Sequence, residues 1–153
     1  MESTPRFWYD ATPKGSVMDL RADFELQEDL LLVTASGEFT LDAALRLLKQ
    51  AFDAAHEKGV GRILVDCLAM SGELSTLDQY DLGAKAAAFS QREHSDKKLA
   101  IVCVPPTIIG FAVQVAANRG LVTAVFASER DAMAWLDAFR TRMREPWLTD
   151  TEK

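Results

Sequence analysis

Apolar residues recur at helical spacing in four stretches of the chain. From Leu41 to Ala55 they return every three or four positions, with Thr40 in front of them and Gly59 behind them as a left-handed stop. This pattern predicts a first helix that begins at Thr40. The same spacing predicts three further helices, over about 76–92, 107–119 and 128–145, the last capped by Ser128.

The second of these helices is rich in small residues, which should let it lie close to its neighbours. Gly83 lowers helix propensity, and we therefore expect it to mark a close backbone contact. The residues expected to point inward are Leu77, Tyr80, Ala84, Ala87 and Ala88.

Short apolar or alternating runs lie between the helices and predict strands. Ile63, Leu64 and Val65 form an uninterrupted apolar run, as expected of a strand covered on both faces, and Asp66 ends it. Two earlier runs flank a polar turn and predict a hairpin. The predicted strands cover 17–26, 30–36, 62–66, 99–104 and 122–126.

The order of these elements, ββαβαβαβα, predicts an α/β fold with one mixed sheet of about five strands and an antiparallel edge hairpin. We expect an N-terminal arm over 1–15, a single domain over 16–145 and a polar tail over 146–153. The arm carries the aromatic triplet Phe7-Trp8-Tyr9. The favoured interpretation is that its rings lie on the domain; the alternative is an arm that binds a partner or exchanges between the chains of a dimer.

Composition and charge narrow the classes of function. A net charge of -6 without a basic cluster opposes binding to a phosphate backbone, so we expect no nucleic-acid partner. Neither a transmembrane stretch nor a signal pattern is evident, which favours a cytoplasmic location. Cys67 and Cys103 are expected to be reduced core thiols.

The chain contains no residue pattern that names a reaction. His56 and His94 have no metal-ligand spacing around them, so we expect no metal site and no cofactor. Cys67 has no evident base nearby, and Asp78 and Asp81 are typical of solvated acids in a helix's first turn. No nucleotide fingerprint or nucleophile triad is present, and we predict no catalytic residue and no enzyme.

Two regions of the chain could form a binding site for a ligand or a partner. In an open parallel sheet, ligands and partners dock at the loops beyond the carboxyl ends of the strands, which here means the stretch from Cys67 to Thr76. The third helix is apolar on more than one face, which indicates burial, an apolar ligand pocket or a self-association surface such as a homodimer contact. The residues of this apolar surface are Ile108, Ile109, Phe111 and Val115.

Several segments, in their order and spacing, resemble the STAS domain, and more narrowly its bacterial SpoIIAA-like subgroup, whose fold is compared with lipid-binding SEC14 domains. The resemblance spans about residues 24 to 137. The segments that carry it are Arg62-Ile-Leu-Val-Asp66, Ser75-Thr-Leu-Asp-Gln-Tyr80, Ala100-Ile-Val-Cys-Val-Pro-Pro106, Ala117-Asn-Arg-Gly120, Val125-Phe126 and Ala134-Trp-Leu136.

The resemblance implies a non-catalytic regulatory module of a bacterial cytoplasm that binds a protein partner. The SEC14 comparison implies an alternative, a carrier or sensor of a small apolar ligand or lipid. The partner-binding or regulatory loop would comprise Asp66, Ser71, Gly72, Ser75, Thr76 and Asp78.

Antagonist members of this family are phosphorylated on a serine within an Asp-Ser-[Ser/Thr]-Gly motif. Ser75 and Thr76 match its hydroxyl residues, while Leu74 and Leu77 stand where the motif has Asp and Gly. A phosphate would be favoured at a helix N-terminus, which makes Ser75 and Thr76 candidate phosphorylation sites. The plainer and favoured interpretation is that both residues simply cap the helix.

Overall fold

The computed structural model describes residues 6–10, 20–92, 97–105 and 108–144, of which the first five and the last five are described by their backbone alone. Within these ranges, six strands form one sheet in the order β1-β2-β3-β4-β5-β6. The strands are β1 Arg6–Asp10, β2 Arg21–Gln27, β3 Leu30–Glu38, β4 Arg62–Ser71, β5 Lys98–Val102 and β6 Val122–Phe126. The helices are α1 Leu41–Lys58, α2 Thr76–Arg92, α3 Gly110–Asn118 and α4 Glu129–Arg144.

The predicted α/β class and the order ββαβαβαβα are confirmed from β2 onward. Strand β2 runs antiparallel to both of its neighbours, β1 and β3, and β3 to β6 run parallel to one another. Strand β1 is one strand more than the five expected, and it forms from part of the predicted arm. The tail over 146–153, Thr107 of the third predicted helix and His94 lie outside the described residues.

The helix ends follow from local chemistry. Thr40 accepts the backbone N–H of Ala43 at 3.2 Å and begins α1, and Gly59 ends it with a φ of 73°. Ser128 accepts the N–H of Asp131 at 3.2 Å and begins α4. These hydrogen bonds satisfy backbone groups that have no partner inside the helix, as predicted from the cap residues.

The sheet is covered by α1, α2 and α3 on one face and by α4 on the other. Ile63 and Val65 of β4 belong to the larger core beneath the three helices, while Leu64 packs in the smaller core beneath α4. All three are at most 2% exposed. The apolar run is therefore a central strand covered on both faces, as predicted.

Strand β4 is longer than its apolar run. It was predicted to end at Asp66, but it continues to Ser71, because β3 keeps pairing with residues 69–71 beyond a β-bulge. The bulge inserts an extra residue after Asp66, so the apolar alternation stops while the hydrogen-bonded ladder goes on. The predicted loop from Cys67 to Thr76 is thereby shortened to residues 72–75.

The inward face of α2 also differs from the predicted one. Leu77, Tyr80 and Ala88 are exposed, and the buried positions are Leu82, Gly83, Ala86, Ala87 and Ser90. The reason is the close packing of α2 on α3. A methyl group at Gly83 would lie 2.3 Å from the Ala112 carbonyl oxygen, so the contact requires a residue without a side chain, as predicted for this glycine.

Candidate protein-binding surface

The carboxyl ends of β3 to β6 and the N-termini of the four helices meet at one edge of the sheet. We call this region the carboxyl edge and define it as residues 38–42, 66–80, 103–105, 108–112 and 127–131. Ser71, Gly72, Ser75 and Thr76 are exposed there, and Asp78 is half-buried. The predicted partner-binding residues therefore share one surface, except for Asp66, which lies beneath it.

Asp66 is only 9% exposed and shapes the backbone above it. Its Oδ1 accepts the N–H of Leu68 at 2.9 Å, across the β-bulge. Bulges often redirect a side chain at the rim of a sheet, and Leu68 is indeed 50% exposed. We conclude that Asp66 supports this surface and does not form its outer layer.

Glu129, in the first turn of α4, is a neighbour of Asp66 that sequence reasoning missed. A hydrogen bond with Asp66 raises the pKa of Glu129, and partial burial and the negative charge of Asp66 add to the effect. Two carboxyl groups can form such a bond only when one of them carries a proton. The pair is far apart in sequence, and the cap at Ser128 was the only local signal near it.

Ser75 begins α2. Its hydroxyl accepts the N–H of Asp78 at 3.1 Å, and its carbonyl accepts the N–H of Gln79 at 2.9 Å. The predicted role of Ser75 as a helix cap is therefore present in the structure. The Ser75 and Thr76 side chains both remain exposed at the positive end of the α2 dipole.

Gln79 joins α2, the loop before it and α3. Its side-chain carbonyl accepts the N–H of Ala112 at 3.2 Å, and its amide donates to the Leu74 carbonyl at 3.4 Å. The first turns of α2 and α3 are thus held side by side. This second contact at the carboxyl edge was also missed, since a glutamine among polar residues gives no sequence signal.

Exposed apolar side chains gather at this edge. Among the described side chains, six large hydrophobic residues are exposed, and all but Val122 lie on the carboxyl edge. Leu77 is 74% exposed and Phe111, at the start of α3, is 40% exposed. Tyr80 accepts a hydrogen bond of 2.7 Å from Arg119. The five residues are Leu68, Leu77, Tyr80, Val104 and Phe111.

The residues of the predicted apolar ligand surface on α3 differ in their exposure to solvent. Ile109 and Val115 are buried, Ile108 is half-buried and Phe111 is 40% exposed. Two adjoining apolar cavities beneath α3 have volumes of about 20 and 30 Å³. They share Leu48, Leu82, Ile101 and Ile109 in their walls. Each has room for about one water molecule, which is far below the volume of a lipid chain.

The two thiols are free and buried. Burial, the neighbouring Cys103 and the charge of Asp66 together raise the pKa of Cys67 to about 12, with burial as the largest cause. Burial also raises the pKa of Cys103. Because the thiolate is the nucleophilic form, Cys67 is poorly suited to covalent chemistry at neutral pH.

Among the described residues, no group of three or more His, Cys, Asp or Glu side chains is arranged to hold a metal ion. Over the same residues, no helix combines the length and the apolar character needed to cross a bilayer.

Comparison with known proteins supports the fold. No family model matches the chain, and no curated protein matches it in sequence. Among solved structures, the chain is similar to an anti-sigma factor antagonist from Mycobacterium paratuberculosis, with a TM-score of 0.52 and 17% identity. The similarity covers 75% of this chain and 92% of that one. The chain therefore shares the fold of that anti-sigma factor antagonist, as expected from its resemblance to STAS domains.

Proposed function

We propose that this protein is a non-catalytic regulatory module of the cytoplasm that binds a protein partner through the carboxyl edge. The observation that carries the proposal is the concentration of exposed apolar side chains there, which include Leu68, Leu77 and Phe111. Exposed apolar patches rimmed by polar residues mark protein interaction sites. The structural similarity to an anti-sigma factor antagonist supports the same class of function.

The chemistry at this edge favours binding over catalysis. Cys67 is buried, and its raised pKa keeps the thiol protonated. Asp66 and Glu129 are hydrogen-bonded to each other, and Asp66 also accepts the backbone N–H of Leu68. Each of these groups therefore contributes to the packing or the backbone geometry of the edge, which supports a binding function.

We further propose that Ser75 or Thr76 is the point of regulation. Both hydroxyls are exposed at the N-terminus of α2, where a phosphate would meet free N–H groups and the positive end of the helix dipole. A phosphate there would also add negative charge next to Asp78 and alter the surface that a partner contacts. Ser75→Glu should therefore change the partners retained, and a triple alanine at Ser71, Ser75 and Thr76 should remove this control.

The proposal can be tested by affinity capture from lysate of the source cell. The test variant combines Leu68→Ser with Leu77→Ser, and the matched control is Val122→Ser, an exposed apolar residue outside the carboxyl edge. We expect quantitative mass spectrometry to show proteins that wild type and the control retain and that the test variant loses. Equal retention by all three proteins would contradict a docking role for this edge.

The alternative function, a carrier of an apolar ligand as in SEC14-like proteins, has weaker support. The cavities beneath α3 have volumes of only about 20 and 30 Å³. A pocket for a small molecule is typically at least about ten times larger. Mass spectrometry of an organic extract of the purified protein tests this alternative directly, and a stoichiometric lipid would favour it over the protein-binding module.

A further inference from the structure

The carboxyl edge is strongly acidic as well as apolar. Along its residues there are seven carboxyl side chains and a single cationic side chain, Arg130. Helix dipoles explain why some of these acids stand there, because negative charge is favoured in a helix's first turn. The dipoles do not account for Glu38, at the end of β3, or Glu73, in the loop after β4. The seven acids are Glu38, Asp42, Asp66, Glu73, Asp78, Glu129 and Asp131.

Most of this charge is not neutralised by the residues that the structure describes. Among the described residues, no ion pair involves Glu38, Asp42, Glu73, Asp78 or Asp131. Asp42, Glu73 and Asp131 are also exposed. The edge therefore presents apolar side chains set among unpaired negative charges.

A second copy of this chain is a poor match for the acidic edge. The chain has a net charge of -6, so two copies repel each other. A complementary surface is better supplied by a different protein that carries cationic side chains.

We propose that the partner of this module docks through a basic segment that carries apolar side chains, in the manner of a cationic amphipathic helix. This inference rests on the proposed protein-binding function and specifies the chemistry of the partner. Leu68, Leu77, Val104 and Phe111 bury against the apolar side chains of that segment. The surrounding acids attract its Lys and Arg residues and select against acidic partners.

The test uses a defined probe, a fluorescent synthetic amphipathic helix of leucine and lysine, and the full chain. The matched probe has glutamate in place of every lysine. Binding is measured by fluorescence anisotropy at about 50 and about 300 mM salt, where screening of exposed charges differs strongly. We expect the lysine peptide to bind with an affinity that falls as salt rises, and the glutamate peptide not to bind.

Two variants separate the apolar and the charged contributions. Leu68→Ser with Leu77→Ser should weaken binding of the lysine peptide by about tenfold or more at both salt concentrations. Glu38→Gln with Glu73→Gln should weaken it by about fivefold at low salt and by less than about twofold at high salt. The controls, Val122→Ser and Glu57→Gln, lie away from the carboxyl edge and should bind like wild type.

Several results would overturn the inference. These are no binding of the lysine peptide, equal binding of the two peptides, or equal loss in the control variants. Self-association that sedimentation detects and that Leu68→Ser with Leu77→Ser abolishes would identify a second copy as the occupant. If the lysate capture depends on the carboxyl edge while the lysine peptide fails to bind, the proposed function stands and only the chemistry of the partner is wrong.

Discussion

Gly83→Ala tests whether the close packing of α2 on α3 holds the carboxyl edge together. The new methyl group would lie 2.3 Å from the Ala112 carbonyl oxygen and 2.8 Å from the Val115 Cβ. Ordinary van der Waals contact requires at least 3.4 Å, so the helices would have to separate by about 1 Å. A backbone carbonyl cannot rotate away as a flexible side chain can, and Ala112 also donates its N–H to Gln79.

Two opposing effects set the size of the change. Replacing glycine by alanine inside a helix stabilises it by about 1 kcal/mol. Overpacking against backbone costs about 3 kcal/mol, at the upper end of the usual range. We therefore expect a net loss of about 2 kcal/mol in the free energy of unfolding, which corresponds to a fall in Tm of about 4–8 °C for a domain of this size.

The assay is urea unfolding followed by circular dichroism, with Ala88→Gly as the matched control. Ala88 is an exposed residue of the same helix, so this change should cost about 1 kcal/mol through helix propensity alone. If propensity governed both sites, Gly83→Ala would stabilise the protein by a similar amount. A Gly83→Ala variant as stable as wild type, or more stable, would refute the close packing.

Three further predictions concern buried or paired groups. The hydrogen bond with Asp66 raises the pKa of Glu129 in the folded state, so above the usual pKa of 4.5 the native protein binds more protons than the unfolded chain. Stability therefore falls as the pH rises from 4.5 through the raised pKa. Glu129→Gln should flatten this fall when urea unfolding is measured at several pH values, and an unchanged slope would contradict the prediction. Arg62→Met should lower the free energy of unfolding by less than about 1 kcal/mol. Changing both of its aspartate partners to Asn should lower it by about 3 kcal/mol, because the buried guanidinium then has no counter-charge. Equal losses of stability in thermal unfolding would contradict this prediction. Cys67, with a pKa raised to about 12, should resist alkylation by iodoacetamide at pH 8 until urea unfolds the chain, as intact mass spectrometry can show, and rapid labelling of the native protein would disprove its burial.

The local pattern of the sequence was sufficient for most elements. Thr40 and Gly59 bracket α1 because capping and left-handed conformations depend on only a few neighbouring residues. The apolar run of Ile63 to Val65 identified the central strand, since a strand covered on both faces has no polar alternation. The placement of Ser75 at the carboxyl ends of the strands followed from topology in the same way.

Where the prediction was wrong, contacts distant in sequence decided the outcome. Strand β4 reaches Ser71 because β3 continues beside it, although its own residues become polar. Leu77 and Tyr80 remain exposed because α3 packs closely on α2 around Gly83 and buries other positions of the helix. A hydrophobic pattern indicates which residues favour burial, but it does not indicate which element of the fold packs against them.

The sequence by itself determined the order of helices and strands, the caps and the position of Ser75 at the carboxyl edge, because these depend on short-range spacing and on chain direction. Only the tertiary structure decided that Asp66 meets Glu129 and supports Leu68, and that Gln79 joins α2 to α3. Such contacts form when packing brings distant segments within hydrogen-bond distance. No local pattern carries that information, since each of these residues is unremarkable among its own neighbours.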